Sequence, residues 1–203
     1  MIVTPLVYGR SRMKESMAFP DGDPAVTFPI TFTFFLIREG AHKILVDSGC
    51  TTMPGWEMED FCGPAAALAK VGLRPEEITH LLITHAHHDH IESASLYPNA
   101  HVFLQEQEYE KGKKYLQKDQ KLTLFKEEIE PVSGVRMRCI GGHSKGSCIV
   151  ELGNTVIAGD ECYTRRNLEE HIPTATSADP QKSRAFIEKY SHPKYTVLLC
   201  HDE

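Results

Sequence analysis

Between His80 and His90 the chain reads HLLITHAHHDH, five histidines in eleven residues, with an apolar run inside the stretch. In an extended segment residues two apart point the same way, so His85 and His87 can reach one point in space. The turn after them can bring Asp89 and His90 to a second point. Neutral imidazole and carboxylate are the donors that Zn, Mn and Fe accept. Without such a task, imidazoles crowded in this way would repel one another when protonated and compete for partners when buried. His80 and His88 fall on neither face and read as hydrogen-bonded neighbours rather than ligands. The helical zinc signature H-E-x-x-H does not occur.

A four-coordinate ion needs more donors than this stretch offers. Others occur at the ends of apolar runs: His143 in CIGGHSKGS, Asp160 in TVIAGD and His201 in TVLLCHD. Upstream, Asp47 closes ILVDSG, where its carboxylate can hold a ligand histidine by the other ring nitrogen. Strand ends on one edge of a sheet are where α/β proteins assemble their sites. Cys162 neighbours Asp160, but the donor set is complete without it and it reads as a small buried residue.

The elements that must position these residues alternate between strand and helix. Val26 to Arg38 and His42 to Asp47 read as a hairpin turned at Glu39-Gly40, and Leu81 to Thr84 as a short buried strand. Helical spacing of apolar residues covers Trp56 to Val71, with a further turn at Pro75 to Glu77. After the histidines, His101 to Gln105 reads as strand and Glu106 to Gln117 as helix. Val135 to Ile140, Cys148 to Leu152 and Thr155 to Ala158 read as strands, the last two joined by a turn at Gly153-Asn154. A helix from Pro180 to Tyr190 and a strand from Tyr195 to Cys200 complete the pattern. Strand pairs interleaved with helices predict α/β layers.

Composition bounds the partners. At 203 residues the chain suits one domain, residues 1–203, with a core that needs no staples. A net charge of -6 weighs against nucleic acid, whose binding rests on Lys and Arg neutralising phosphates. The cluster Lys111 to Lys121 reads as a solvated helix face. No apolar run approaches the length of a membrane span, no secretory leader is visible, and six cysteines without a C-x-x-C pair read as reduced thiols, which together predict a cytoplasmic protein with no membrane partner. The oligomeric state is left open, a homodimer included.

The ordered set ILVDSG, THAHHDH, GGHSKGS, AGD and CHD, spread over nearly the whole chain, resembles the metallo-β-lactamase superfamily. That resemblance implies a four-layered αββα sandwich and a two-metal hydrolase site, with zinc expected and Fe or Mn as alternatives. Carried over by position, His85, His87 and His143 hold the first ion, Asp89, His90 and His201 the second, and Asp160 bridges them, while Asp47 is structural. Within the superfamily the chain is most similar to the N-acyl homoserine lactone lactonases, through Asp160-Glu-Cys-Tyr163, the segment FLQEQEYE and the final CHD. It departs from them at Gly142 to Ser147, where that family usually shows G-H-T-P-G-H, and in being shorter, which suggests trimmed loops around the pocket.

The chemistry implied is hydrolysis of a lactone or related ester. Paired cations generate hydroxide near neutral pH and polarise the carbonyl. The Tyr163 hydroxyl is the candidate donor to the substrate, and Asp89 the candidate proton carrier to the departing alkoxide. A thioester hydrolase of the glyoxalase II type shares every ligand, but usually adds a C-terminal helical domain with basic residues, which this sequence does not display. The di-iron redox relatives carry Glu where this chain has His87, together with a flavin domain.

Overall fold

The computed structural model describes residues Met1–Glu203. In chain order the strands are β1 (Ile2–Lys14), β2 (Thr27–Glu39), β3 (His42–Val46), β4 (His80–Ile83), β5 (His101–Gln105), β6 (Leu122–Phe125), β7 (Glu128–Val132), β8 (Val135–Cys139), β9 (Cys148–Leu152), β10 (Thr155–Ile157) and β11 (Thr196–Leu198). The α-helices are α1 (Glu15–Ala18), α2 (Gly63–Ala69), α3 (His88–Ile91), α4 (Tyr109–Gly112), α5 (Arg165–Glu169) and α6 (Pro180–Tyr190). No helix is long and apolar enough to cross a membrane. The chain divides into two compact units, residues 1–11 with 31–125 and residues 12–30 with 126–203.

The first unit is built on a sheet ordered β1-β2-β3-β4-β5-β6, antiparallel between β2 and β3 and parallel from β3 to β6. Its inner parallel strands carry continuous apolar runs, Ile44–Val46, Leu81–Ile83 and Val102–Leu104, because both faces of such a sheet are covered. Leu45, Val46, Leu81, Leu82, Ile83, Val102 and Leu104 are fully buried. The outer ends of β1 and β2 run on into the second unit.

The second unit holds a sheet ordered β11-β10-β9-β8-β7, antiparallel except for the parallel β10–β11 pair. Ile149, Val156, Leu168, Phe186, Ile187, Tyr190 and Val197 form its core. Helix α6 contributes through Ser183, Phe186, Ile187 and Tyr190, one stripe at helical spacing. Asp179 caps it, accepting from the amides of Gln181 and Lys182, with Pro180 in the first turn where its missing N–H costs nothing.

The expected strands and α6 form within a residue or two of their predicted limits, and two expected helices are corrected. Trp56 to Cys62 is not helical: Arg10 and Glu59 exchange backbone hydrogen bonds at 2.8 Å each, and the Cys62 amide donates to Tyr8. Positive φ angles at Gly55, Asp60 and Gly63 hold that path, and only α2 remains helical. Glu106 to Gln117 breaks into two 3-10 turns flanking α4. At Gly112 a Cβ would meet Ile91 Cδ1 at 2.8 Å, so the close approach demands the residue that weakens a helix most short of proline.

Strands β1 and β7 escaped the sequence pattern because each contains a proline, tolerated since both are edge strands. Helix α5 escaped it as a five-residue element, started by a reciprocal cap between Thr164 and Asn167.

Ile187 is fully buried in the second core, so Ile187→Ala should cost about 2–5 kcal/mol in a denaturant titration. Leu124→Ala, at an exposed position on β6, should stay within about 0.5 kcal/mol.

Candidate metal centre

In the first unit, parallel pairing aligns the ends of β3 and β4, and a single carboxylate joins the segments that leave them. Asp47 Oδ1 accepts from the Thr84 amide at 2.7 Å, and its carboxylate also accepts from Thr84 Oγ1. Asp47 Oδ2 lies 2.7 Å from His90 Nδ1. Asp47 adopts φ 67°, a left-handed backbone that Asp tolerates better than most residues, and its amide donates to Leu82. This arrangement fixes the His90 ring and turns Nε2 toward Asp89, whose Oδ2 is 3.4 Å away.

Beyond Thr84 the chain is extended. His85 Nε2 and His87 Nδ1 come within 3.0 Å, the convergence that a two-residue spacing predicts. The His85 and His90 rings lie 4.1 Å apart. The backbone is pinned on both sides: the Ala86 amide donates to the buried Glu108 carboxylate at 2.9 Å, and Tyr8 Oη donates to the Asp89 carbonyl at 2.9 Å. His88 turns away, its ring bonded to the Thr52 carbonyl and Tyr115. His80 sits in a separate group with His42, His101 and Phe103.

In the second unit, Asp160 lies in the tight turn after β10 with a different imidazole against each oxygen. His143 Nε2 is 3.4 Å from Oδ2, and His201 Nε2 is 3.2 Å from Oδ1. All three are buried. The Tyr163 ring stands edge-on to both histidines, with centroids at 5.8 and 5.5 Å, and its hydroxyl is 2.7 Å from Thr176 Oγ1. Burial pushes the Cys162 thiol far up, which removes it as a nucleophile at neutral pH.

The residue that sequence reasoning missed here is Glu161. It is completely buried and accepts from the amides of Gly142 and His143 at 3.1 and 3.3 Å, from Ser147 Oγ, and from Ser183 Oγ at 3.3 Å. It thereby holds the loop that presents His143. Burial drives its carboxyl up to about 7, against the opposing pull of those hydrogen bonds. Gly142 is obligatory beside it, since a Cβ there would lie 2.3 Å from Glu161 Oε2. The departure at Ser147 was visible in the sequence, but nothing in the sequence told that its partner is Glu161.

A cleft of about 340 Å³ in the same unit is lined by Phe19, Phe28, Pro29, Thr164, Arg166 and His201, among others. The larger hollow of about 480 Å³ includes none of the candidate ligands, and its Arg166 is ion-paired with Glu170. The smaller cleft is the one that includes a candidate ligand, His201.

The model of the metallo-beta-lactamase superfamily matches residues 33–201. The chain belongs to this superfamily. An N-acyl homoserine lactonase of Bacillus cereus is 28% identical over 120 residues, covering 53% of this chain and 48% of that protein, so the match spans about half the length of the curated relative. A variant of Bacillus thuringiensis AiiA with N-decanoyl-L-homoserine bound at its active site aligns with TM-score 0.85 at 20% identity, over 98% of this chain and 92% of the other. AidC, a dizinc quorum-quenching lactonase, aligns with TM-score 0.79 at 16% identity, over 98% and 87%. The two mixed sheets with their helices are thus the metallo-β-lactamase fold that the motifs implied.

Removing the Glu161 carboxylate strands two buried amides. Glu161→Ala should lower stability by about 2–4 kcal/mol in chemical denaturation, whereas Ser147→Ala, which removes one donor, should cost about 1 kcal/mol.

Proposed function

We propose that this chain is a dinuclear metal-dependent hydrolase that opens a lactone of the N-acyl homoserine lactone kind or a related ester. His85, His87 and His143 hold one ion, Asp89, His90 and His201 the other, and Asp160 serves both. Residues 1–203 act as one domain, a reading supported by a family match that runs through both units. The single observation that carries the dinuclear reading is the Asp160 carboxylate, with one imidazole at each oxygen. A carboxylate so placed offsets the repulsion between two neighbouring cations.

The donors fit such ions. They are imidazoles and carboxylates, the set that zinc accepts and that Fe and Mn share. Asp47 fixes His90 through Nδ1, so the ring offers Nε2, the geometry expected of a histidine ligand held by a carboxylate behind it. When bound, paired divalent cations supply Lewis acidity and a hydroxide nucleophile at neutral pH.

The chain's own groups do the rest. The Tyr163 hydroxyl donates to the substrate carbonyl, exchanging its contact with Thr176 for one with substrate. Asp89 carries the proton to the departing alkoxide. Phe19, Phe28 and Pro29, in the cleft that includes His201, suit an acyl group. We place the protein in the cytoplasm, whose reducing conditions suit six cysteines that are thiols.

A panel of acyl lactones, thioesters and phosphodiesters tests the assignment. Lactones should be the best substrates, and thioesters turned over faster than lactones would favour the glyoxalase II type of reaction instead. With lactones confirmed, Tyr163→Phe should lower kcat/KM roughly ten- to a hundredfold, about 1.4–2.7 kcal/mol of transition-state stabilisation, without changing metal content. A Phe variant as fast as wild type would reduce Tyr163 to a packing residue.

A further inference from the structure

Strands β8 and β9 place Cys139 directly opposite Cys148, at the base of the loop that carries His143. The ladder defines what kind of pair this is. The Ile140 amide donates to the Ser147 carbonyl at 2.9 Å, just beyond the two cysteines, while the Cys139 amide donates away from β9, to Glu127. Cys139 and Cys148 are therefore a non-hydrogen-bonded antiparallel pair, the type in which facing Cα atoms stand only about 4.5 Å apart and side chains are closest. Facing residues project to the same side of a sheet. Both sulfurs reach toward neighbouring carbonyls of the same loop, Cys148 Sγ 3.2 Å from Gly146 O and Cys139 Sγ 4.0 Å from Lys145 O. All six cysteines are thiols in this structure.

We infer that Cys139 and Cys148 form a redox-modification site, a dithiol that closes to a disulfide and so clasps the His143 loop. The separation lies inside the range a disulfide accepts, at its short end. The two thiols also differ in access: Cys139 is partly exposed and Cys148 is buried. With a small-molecule disulfide as oxidant, the Cys139 thiolate attacks one sulfur and expels one thiolate, forming a mixed disulfide. The Cys148 thiolate then attacks Cys139 Sγ and expels the second. The protein loses two protons and two electrons, and the reagent's disulfide is reduced to two thiols that take up the protons.

Closure ties both strands at the root of the loop that Glu161 holds in register, so the covalent link constrains the segment that carries His143. The coupling to metal rests on the function proposed above, whereas the closure itself does not.

The test treats the full-length reduced protein with oxidised glutathione, maps peptides without reduction, and titrates Zn²⁺ into the oxidised and reduced forms. The expected result is a Cys139–Cys148 linked peptide that dithiothreitol abolishes, with Zn²⁺ affinity lower by roughly tenfold in the linked form and restored on reduction. Cys148→Ala should retain glutathione on Cys139 instead and form no link. Wild-type protein that gives no linked peptide, or that keeps a stable mixed disulfide at Cys139, overturns the clasp. A linked form with unchanged Zn²⁺ affinity overturns the coupling to His143. Protein that forms the link yet binds no metal when reduced contradicts the proposed function and leaves the clasp standing.

Discussion

A buried carboxylate must find donors, and in this protein that requirement organises the candidate ligands within each of the two units. In the first unit Asp47 meets it with the Thr84 amide, the Thr84 hydroxyl and His90 Nδ1. In the second, Glu161 meets it with the amides of Gly142 and His143 and the hydroxyls of Ser147 and Ser183. Each acid lies behind a candidate ligand rather than among the ligands. Each ties together chain segments far apart in sequence, so the position of an imidazole becomes a consequence of where the strands end. A polar group buried without partners costs several kcal/mol, which makes these arrangements close to all-or-none.

The candidate ligand positions themselves are costly to keep. Imidazoles and carboxylates at 3–3.5 Å from one another, with His85, His90, His143, Asp160 and His201 buried, do not contribute to a core as apolar side chains would. Such an arrangement suits an ion, and imidazole donors suit a transition-metal ion better than calcium or magnesium, which prefer oxygen. The superfamily assignment and the donor chemistry thus point the same way.

Legibility followed physical distance along the chain. The convergence of His85 on His87 could be read because two residues of extended chain fix it, and the grouping of His143, Asp160 and His201 could be read because each follows a strand end, those of β8, β10 and β11. Helix α6 was legible from its apolar stripe and its Asp-Pro start. Glu161 was not, since an acid that neighbours a ligand looks the same in sequence whether it faces solvent or four donors. Glu108, the partner of the Ala86 amide, was hidden for the same reason inside an acidic run. Strand β1 was obscured by Pro5 and Gly9. The glycine is explained only by tertiary contact, since a Cβ there would sit 2.7 Å from Met58 Cε. The failed helix over Trp56 to Cys62 shows the converse, apolar spacing overridden by backbone hydrogen bonds to β1.

The central claim, that one carboxylate serves two ions, is tested most directly by elemental analysis of purified wild-type protein beside its Asp160→Ala variant. The account predicts about two transition-metal ions per chain in wild type and a loss of about one or more in the variant. A wild-type protein that holds a single ion stably, or a variant that retains both, would contradict it.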